Sequence, residues 1–514
     1  MTKHITLRAF VRNSLRAKGQ PRARRLDGNE GVTRLDLEKT KWSRGIICFL
    51  LVTILAAPSF GWSQAQQPIA DVSRESARPT RDWVRDGVIY EIYPRAFSPQ
   101  GDFNGVTARL DDLKALGVTI LWLMPIHPVG QEKKKGSVGS PYAVRDYYAI
   151  SPDYGTGEDL KRLTTEAHRR GLKVIIDIVA NHTSWDSVLM KHPDFYKQDA
   201  AGRITYPYDW TDVAALNYDN RQLREYMTDM LKYWIREFDL DGFRCDVAGE
   251  VPTDFWEHAR AELEKIKPDI FMLAEAHKAE LEVKAFDLDY SWPLHSALNS
   301  VLQGRARASD LRAAWEEEVK EWPRGALHMR FSDNHDERRA IARFGEPGAL
   351  VASAFMFTLD GLPLIYNGME VGDTTESGAP ALFEKLPIFW PISERRPEFP
   401  RFYQQMITLR RSSSALRRGS LAWLRNSDEF QVLTFLRRSP EEEVLIAINF
   451  SSRPFFGTVE VANGDAYKEV TPDVSSPLPP DAPIAERAAR KQSAGLPALS
   501  LEAWGYRVFR RPLR

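Results

Sequence analysis

Cysteine is nearly missing from this chain: two occur in 514 residues, Cys48 and Cys245. Cys48 lies in an apolar leader that processing removes, so the remaining thiol has no partner. A disulfide framework is excluded, and an exported form must be held together by its core. An excess of charge is missing too. Lys plus Arg equals Asp plus Glu at 70 each, which gives no field for nucleic acid or an anionic membrane and favours a neutral ligand. The apolar run IICFLLVTILAA at 46–57 is short of the ~20 residues a spanning helix needs. With basic Lys41–Arg44 before it and Pro58 after it, the run has the form of a signal h-region. Ser63-Gln64-Ala65 supplies small residues for cleavage after Ala65, so 1–65 is expected to be a basic leader and signal, 66–82 a linker, and the mature protein periplasmic or extracellular. The first 40 residues are long and basic for a signal, and Arg24-Arg25 lies too far from the apolar run to act as a twin-arginine signal.

From Trp83 onward, short β-branched or apolar runs alternate with segments of helical spacing. The runs are VIYEIYPR from Val88, TILWLMP from Thr119, KVIIDIVANH from Lys173, GFRCDV from Gly242, FMLAEA from Phe271, AFDLDY from Ala285, ALHMRFSDNHD from Ala326 and PLIYNG from Pro363. Between them, segments from Leu110, Glu158, Leu223 and Phe255 place apolar residues three and four apart, and Gly117 and Gly171 close two of them. Eight strands with intervening helices predict a (β/α)8 TIM barrel over 83–400. The pattern leaves an open doubly wound sheet as the alternative, although no Gly-rich phosphate loop follows the first strand. After the third strand a Tyr-, Trp-, Asp- and Pro-rich stretch predicts an inserted subdomain at about 183–218. From Arg401 the pattern turns to EFQVLTFLRR and EEEVLIAINF without helices, which predicts a C-terminal antiparallel β-sandwich over 401–514. Within it, the Pro-, Ala- and Ser-rich stretch from Pro472 reads as an excursion before a final strand, AWGYRVFRR.

The run GFRCDVAGEVP poses the chemical question. Alternation on a strand puts Arg244 and Asp246 on one face and Phe243 and Cys245 on the other, so the polar pair points into the barrel and the thiol packs against helices. Barrel active sites sit at the C-terminal ends of the strands. There the fourth strand ends in Asp246, the fifth in Glu275 and the seventh in His335-Asp336. Arg244 is close enough to keep Asp246 ionised, and a charged carboxylate beside a protonated one suits glycoside cleavage. His182, Asp246, Glu275 and His335 also suit a divalent metal, though neither HxH nor HxxxH spacing accompanies them, and the residues alone leave both chemistries open.

Four segments, DIVANHT (177–183), GFRCD (242–246), MLAEA (272–276) and FSDNHDE (331–337), resemble, in order, the signature regions of the α-amylase family of glycoside hydrolases. GDFNGV from Gly101, PYAVRDYYAI from Pro141, LNYDN from Leu216 and GLPLIYNGME from Gly361 extend the likeness from about Trp83 to Arg401. The resemblance implies a retaining mechanism with Asp246 as nucleophile, Glu275 as acid and base, and Asp336 as transition-state stabiliser. It further implies that His182 and His335 bond sugar hydroxyls, Arg244 holds the nucleophile, and Tyr142 stacks on the sugar. The implied partner is an α-glucan or maltooligosaccharide with mainly α-1,4 linkages, cut by hydrolysis. Transglycosylation, trehalose-type isomerisation or a silent glucan-binding barrel are the alternatives. No cofactor is required for the chemistry. Asn181 matches a family ligand for structural calcium, but the partner ligand near the nucleophile is missing, because Gly249-Glu250 stands where many members have Lys-His. VAGEV is nearer to the VANEV of the maltogenic amylase and cyclomaltodextrinase branch. Lys133–Lys135 read as a solvated loop, Trp185, Trp210 and Trp292 as core or sugar-facing rings, and Asp177 as support beneath the third strand.

Overall fold

The computed structural model describes residues 71–472 and 495–513; the expected leader, its cleavage site and most of the excursion after Pro472 lie outside them. In chain order the strands of the first region are β1 (Ile89–Ile92), β2 (Ile120–Leu123), β3 (Lys173–Val179), the short pair β4 (His182–Ser184) and β5 (Val213–Ala215), then β6 (Gly242–Asp246), β7 (Phe271–Ala274), β8 (Leu288–Tyr290), β9 (His328–Arg330) and β10 (Leu362–Tyr366). All but β4 and β5 close into one barrel in the order β1-β10-β9-β8-β7-β6-β3-β2, every pairing parallel. An open sheet is thereby excluded.

The strands are apolar on both faces because the barrel is filled and also covered. Ile89, Trp122, Ile175, Leu273, Tyr290, Met329 and Leu364 pack inside, while Tyr90, Leu121, Ile176, Cys245 and Met272 pack outward against the helices. Gly242 opens β6 under constraint: a Cβ there would lie 1.9 Å from the Phe271 carbonyl oxygen. Only glycine lets β6 approach β7 so closely. The Leu110–Leu116 helix stops at Gly117, which takes φ 101°. Four helices escape a reading of periodicity, Trp292–Leu302, Ala308–Glu321, Ala340–Thr358 and Glu398–Arg411. The third is broken at Gly345 (φ 71°) and carries Pro347, which spoils its pattern.

Between β3 and the Arg221–Phe238 helix the chain makes its excursion over the mouth, where β4 and β5 pair antiparallel. Two domain edges differ from the sequence reading. Arg401 falls inside the Glu398–Arg411 helix, whose Phe399, Phe402, Met406 and Ile407 join the barrel's outer core, so the last barrel helix runs past the expected boundary. Residues 71–82 are tied down rather than free: Ser76 bridges to Arg324, and Arg78 meets Asp287 at 2.7 Å and Glu264 at 2.6 Å.

The C-terminal region contains β11 (Ser420–Leu424), β12 (Val432–Arg438), β13 (Glu442–Asn449), β14 (Phe455–Thr458), β15 (Lys468–Glu469), β16 (Ala498–Leu501) and β17 (Tyr506–Pro512). A five-stranded sheet, β11-β12-β13-β17-β15, faces the two-stranded β14-β16. Alternation along β13 explains its unbroken apolar run. Val444, Ile446 and Ile448 pack on the barrel helices with Leu298, Leu311 and Phe355, while Leu445 and Ala447 pack on Phe455, Leu499 and Leu501.

Candidate active site

The β3–β6 register sets Asp177 opposite Arg244 and Val179 opposite Asp246. Two adjacent strands therefore deliver two inward carboxylates on either side of one inward guanidinium. Arg244 is fully buried. Its Nη1 donates to Asp177 Oδ1 at 2.8 Å and to Asp246 Oδ1 at 2.9 Å, and its Nη2 lies 2.7 Å from Glu275 Oε2, just past the end of β7. The ring faces of Trp122, Tyr142 and Tyr290 line the guanidinium, with centroids 5.2, 5.6 and 5.7 Å away. One cation thus serves three carboxylates.

Asp336, beyond β9, completes the group through His335. His335 Nε2 lies 3.3 Å from Asp336 Oδ2 and 2.6 Å from the Tyr142 hydroxyl, which in turn donates to Asp177 Oδ2 at 3.0 Å. The opposite ring nitrogen, Nδ1, bonds Glu91 of β1. Burial opposes a charge on His335, but Asp336 and Glu91 outweigh it and push its pKa up to about 9. At neutral pH the ring is an imidazolium that donates from both nitrogens. His182, 3% exposed, goes the other way: burial lowers it to about 4, so it is neutral. Its ring packs edge-on against Trp210, 5.6 Å away.

The structure therefore brings Asp246, Glu275, Asp336, Arg244, His335 and Tyr142 into one bonded array with Asp177, and His182 lies beside it. Arg244 holds Asp246 as expected from its place two residues before it, and it is shared with Asp177 and Glu275 as well. Burial first, then Glu275, Asp177 and Asp336, raise the Asp246 carboxyl well above its ordinary value against the pull of Arg244. Burial also opposes ionisation of Glu275, yet Arg244 and the Val247 N–H, 2.9 Å from Oε2, hold it below its ordinary value. Asp336 is raised to about 6, by burial first, with Glu275 adding to the rise and His335 working against it. Asp246 Oδ2 and Glu91 Oε2 have no hydrogen-bond partner among the described residues, and five carboxylates, those of Asp177, Asp246, Glu275, Asp336 and Glu91, surround two cations, Arg244 and His335.

Glu91 was missed by sequence reasoning. Its signal is a carboxylate among apolar residues in the middle of a buried strand, IYEI. Asp177, read as support, does support: it anchors Arg244. Trp292 belongs to the core beside Tyr290 and Phe331. Trp185 carries Lys133 over its ring at 3.2 Å, and Lys135 pairs with Asp212 at 2.6 Å, so two of that lysine run are not free in solvent. Glu250 accepts the Tyr208 hydroxyl at 2.5 Å at the rim, beside a cavity of about 230 Å³ lined by Asn181, Lys197, Thr205, Tyr206 and Ala215 among others. Asn181 is buried, its amide against His182 Nδ1 at 3.3 Å. One carboxylate, Glu250, and one ammonium, Lys197, line this cavity, and the ammonium weighs against a dication there; no step is assigned to a metal.

Comparison with known proteins agrees with this geometry. Residues 83–201 and 206–414 match the family described as Alpha amylase, catalytic domain. A cyclomaltodextrinase of Geobacillus thermopakistaniensis is 30% identical over 425 residues, 72% of this chain and 70% of the relative. An intracellular maltogenic amylase of Bacillus subtilis is 29% identical over 412 residues, 71% of this chain and 68% of the relative. Among solved structures, a maltogenic α-amylase of Thermotoga neapolitana superposes with TM-score 0.69 at 33% identity, over 73% of this chain and 88% of that one. An α-amylase of Lactobacillus plantarum gives 0.72 at 30%, over 84% and 100%. The chain belongs to the α-amylase family of glycoside hydrolases, in its maltogenic amylase-like branch.

Proposed function

We propose that this protein is an exported, retaining α-glycosidase that hydrolyses α-glucosidic bonds, mainly α-1,4, in starch-like glucans or maltooligosaccharides. The observation that carries the reading is the single guanidinium of Arg244 gripping Asp246 and Glu275, with Asp336 held over the same space by His335. Depth separates the roles. The side chain of Asp246 is 8% exposed, that of Glu275 17% and that of Asp336 31%. Asp246, the deepest, attacks the anomeric carbon and forms the glycosyl ester. Glu275, nearer the mouth, protonates the departing oxygen and then takes a proton from the incoming water. For these roles Glu275 carries the proton and Asp246 the charge when the sugar is bound. Asp336 and the excess negative charge of the mouth stabilise the oxocarbenium-like transition state. The His335 imidazolium and neutral His182 orient sugar hydroxyls, and the Tyr142 ring supports the sugar.

The chemistry needs no cofactor, so dialysis against a chelator leaves the rate unchanged; a rate that falls and returns with calcium would overturn that. Export rests on the leader pattern, and N-terminal sequencing of the protein from fractionated cells tests it: a start near Gln66 in the periplasm or medium supports it, and an intact cytoplasmic chain refutes it. The reaction is tested with maltoheptaose, following anomers by NMR and chain lengths by chromatography. Initial α-anomeric products shorter than the substrate support a retaining hydrolase. β-Anomeric products refute retention, and products longer than the substrate replace water by sugar as the acceptor.

A further inference from the structure

A second group of ionisable side chains lies on the outer side of the barrel wall. Asp289 of β8 and His328 of β9 are register partners. They point away from the interior that Leu288, Tyr290 and Met329 fill. Glu282, from the Leu281–Lys284 helix, reaches over them. One donor atom of each lies within 4.8 Å of the other two, and the three residues are 1%, 0% and 6% exposed.

The bonding around the group is one-sided. Glu282 Oε2 accepts the Leu327 N–H at 3.0 Å, while Oε1 is buried without a hydrogen-bond partner. Asp289 Oδ2 accepts the Trp322 indole N–H at 3.0 Å, while Oδ1 lies 2.5 Å from His328 Nδ1. Each carboxylate is thus fixed by one oxygen and turns the other toward the same imidazole nitrogen. Behind the ring, Glu318 Oε2 stands 4.0 Å from Nε2 and is itself held by Arg330 at 2.5 Å. An N–H on the spare oxygen of each ligating carboxylate is the outer support that metal sites use, and the Glu318 carboxylate adds negative charge behind the ring without a hydrogen bond to it.

We propose that Glu282, Asp289 and His328 bind a divalent transition-metal cation, Zn²⁺ by preference, at a site separate from the active site. An imidazole nitrogen and two carboxylate oxygens suit zinc, whereas calcium takes oxygen alone. Bonds of about 2.0–2.1 Å in a tetrahedral shell place ligand atoms roughly 3.3 Å apart. The separations from His328 Nδ1, 2.5 Å to Asp289 and 4.0 Å to Glu282, lie on either side of that value, so small side-chain shifts suffice. A dication also balances the two carboxylates with the histidine neutral. The ion would tie the start of β9 to β8 and to the Leu281–Lys284 helix, so its effect falls on stability rather than on glycoside cleavage.

The test uses the purified full chain, stripped with a chelator, dialysed against Zn²⁺ and assayed by elemental analysis and thermal unfolding. One zinc per chain and a melting temperature that rises with zinc are expected, both lost in Glu282→Gln with maltooligosaccharide cleavage unchanged. Failure of the wild type to retain zinc overturns the proposal, and so does zinc retained by a folded Glu282→Gln protein. Should that variant not fold, X-ray absorption at the zinc edge of the wild type decides: one imidazole with oxygen neighbours supports the site, and two or more imidazoles place the metal elsewhere.

Discussion

Two buried arginines show what separates the mouth of the barrel from its base. Arg244 at the mouth is one cation among three carboxylates, and Asp246 Oδ2 beside it has no partner. Arg260 at the base meets Asp287 at 2.7 Å, Glu264 at 3.0 Å and the Ile270 carbonyl at 2.9 Å. Asp287 in turn receives Arg78 at 2.7 Å and the Met272 N–H at 2.9 Å. The residue types are the same and the balance differs. Two cations, Arg78 and Arg260, meet two carboxylates, Asp287 and Glu264, at the base, a satisfied arrangement that holds the linker, β7 and β8 together. At the mouth the uncompensated negative charge costs stability and is useful only when a positive sugar centre forms beside it.

Exchanging charge for isosteric amide gives the largest contrast. Asp246→Asn, Glu275→Gln and Asp336→Asn should each lower kcat by a factor of about 10⁴ or more, since groups that act as a unit fail together, while melting temperature stays level or rises. Asp287→Ala should do the reverse: a loss of about 3–5 kcal/mol from the stranded Arg260, with kcat nearly unchanged for the fraction that folds. Steady-state kinetics and denaturant unfolding on the same preparations read both. A mouth variant that unfolds, or a base variant that is stable but inactive, would erase the distinction.

The sequence shows much of the mouth and little of the base. Eight apolar runs mark the barrel because strands buried on both faces tolerate few polar residues, and carboxylates at run ends are visible for the same reason. Alternation along GFRCD orients Arg244 and Asp246 correctly. What alternation cannot supply is stoichiometry: that Arg244 is shared three ways depends on β3 and β7 flanking β6. Glu91, Asp289 and Asp287 each interrupt an apolar run, and that interruption is the one mark they leave. Their partners, His335, His328 and Arg78, are 244, 39 and 209 residues away, beyond any local pattern. The Trp292–Leu302 and Ala340–Thr358 helices show little polar stripe because the sheet packs on them as well as the barrel.

A smaller effect concerns pH. With Asp336 raised to about 6 and His335 to about 9, kcat/KM should fall below about pH 6, as the mouth gains protons, and again above about pH 9, as the imidazolium is lost. Glu91 has its site at the far nitrogen of His335 and is a positioning residue. Glu91→Gln should move the alkaline limb to lower pH and leave the acid limb in place. The stability consequence has a definite sign. A folded-state pKa above the unfolded 6.5 means that the His335 contribution is complete below 6.5 and disappears as pH rises through about 9. It is on the order of 3 kcal/mol, and Glu91→Gln should lose most of it. An unmoved alkaline limb in Glu91→Gln would show that the ring keeps its proton by other means.

The smallest effect tests the alternation itself. Cys245 is one residue from Asp246 and joins the core between barrel and helices. Burial first, with Asp177 next, raises its thiol well above the ordinary range, so it stays protonated and unreactive. Cys245→Ala removes a buried sulfur at a cost of about 1 kcal/mol and should change kcat by less than about twofold. Thiol reagents should leave the native wild type unmodified and active. A large loss of rate in Cys245→Ala with the fold intact would mean that packing behind β6 sets the position of Asp246. Mouth and wall would then be one mechanical unit, and the division drawn between Arg244 and Arg260 would not hold at β6.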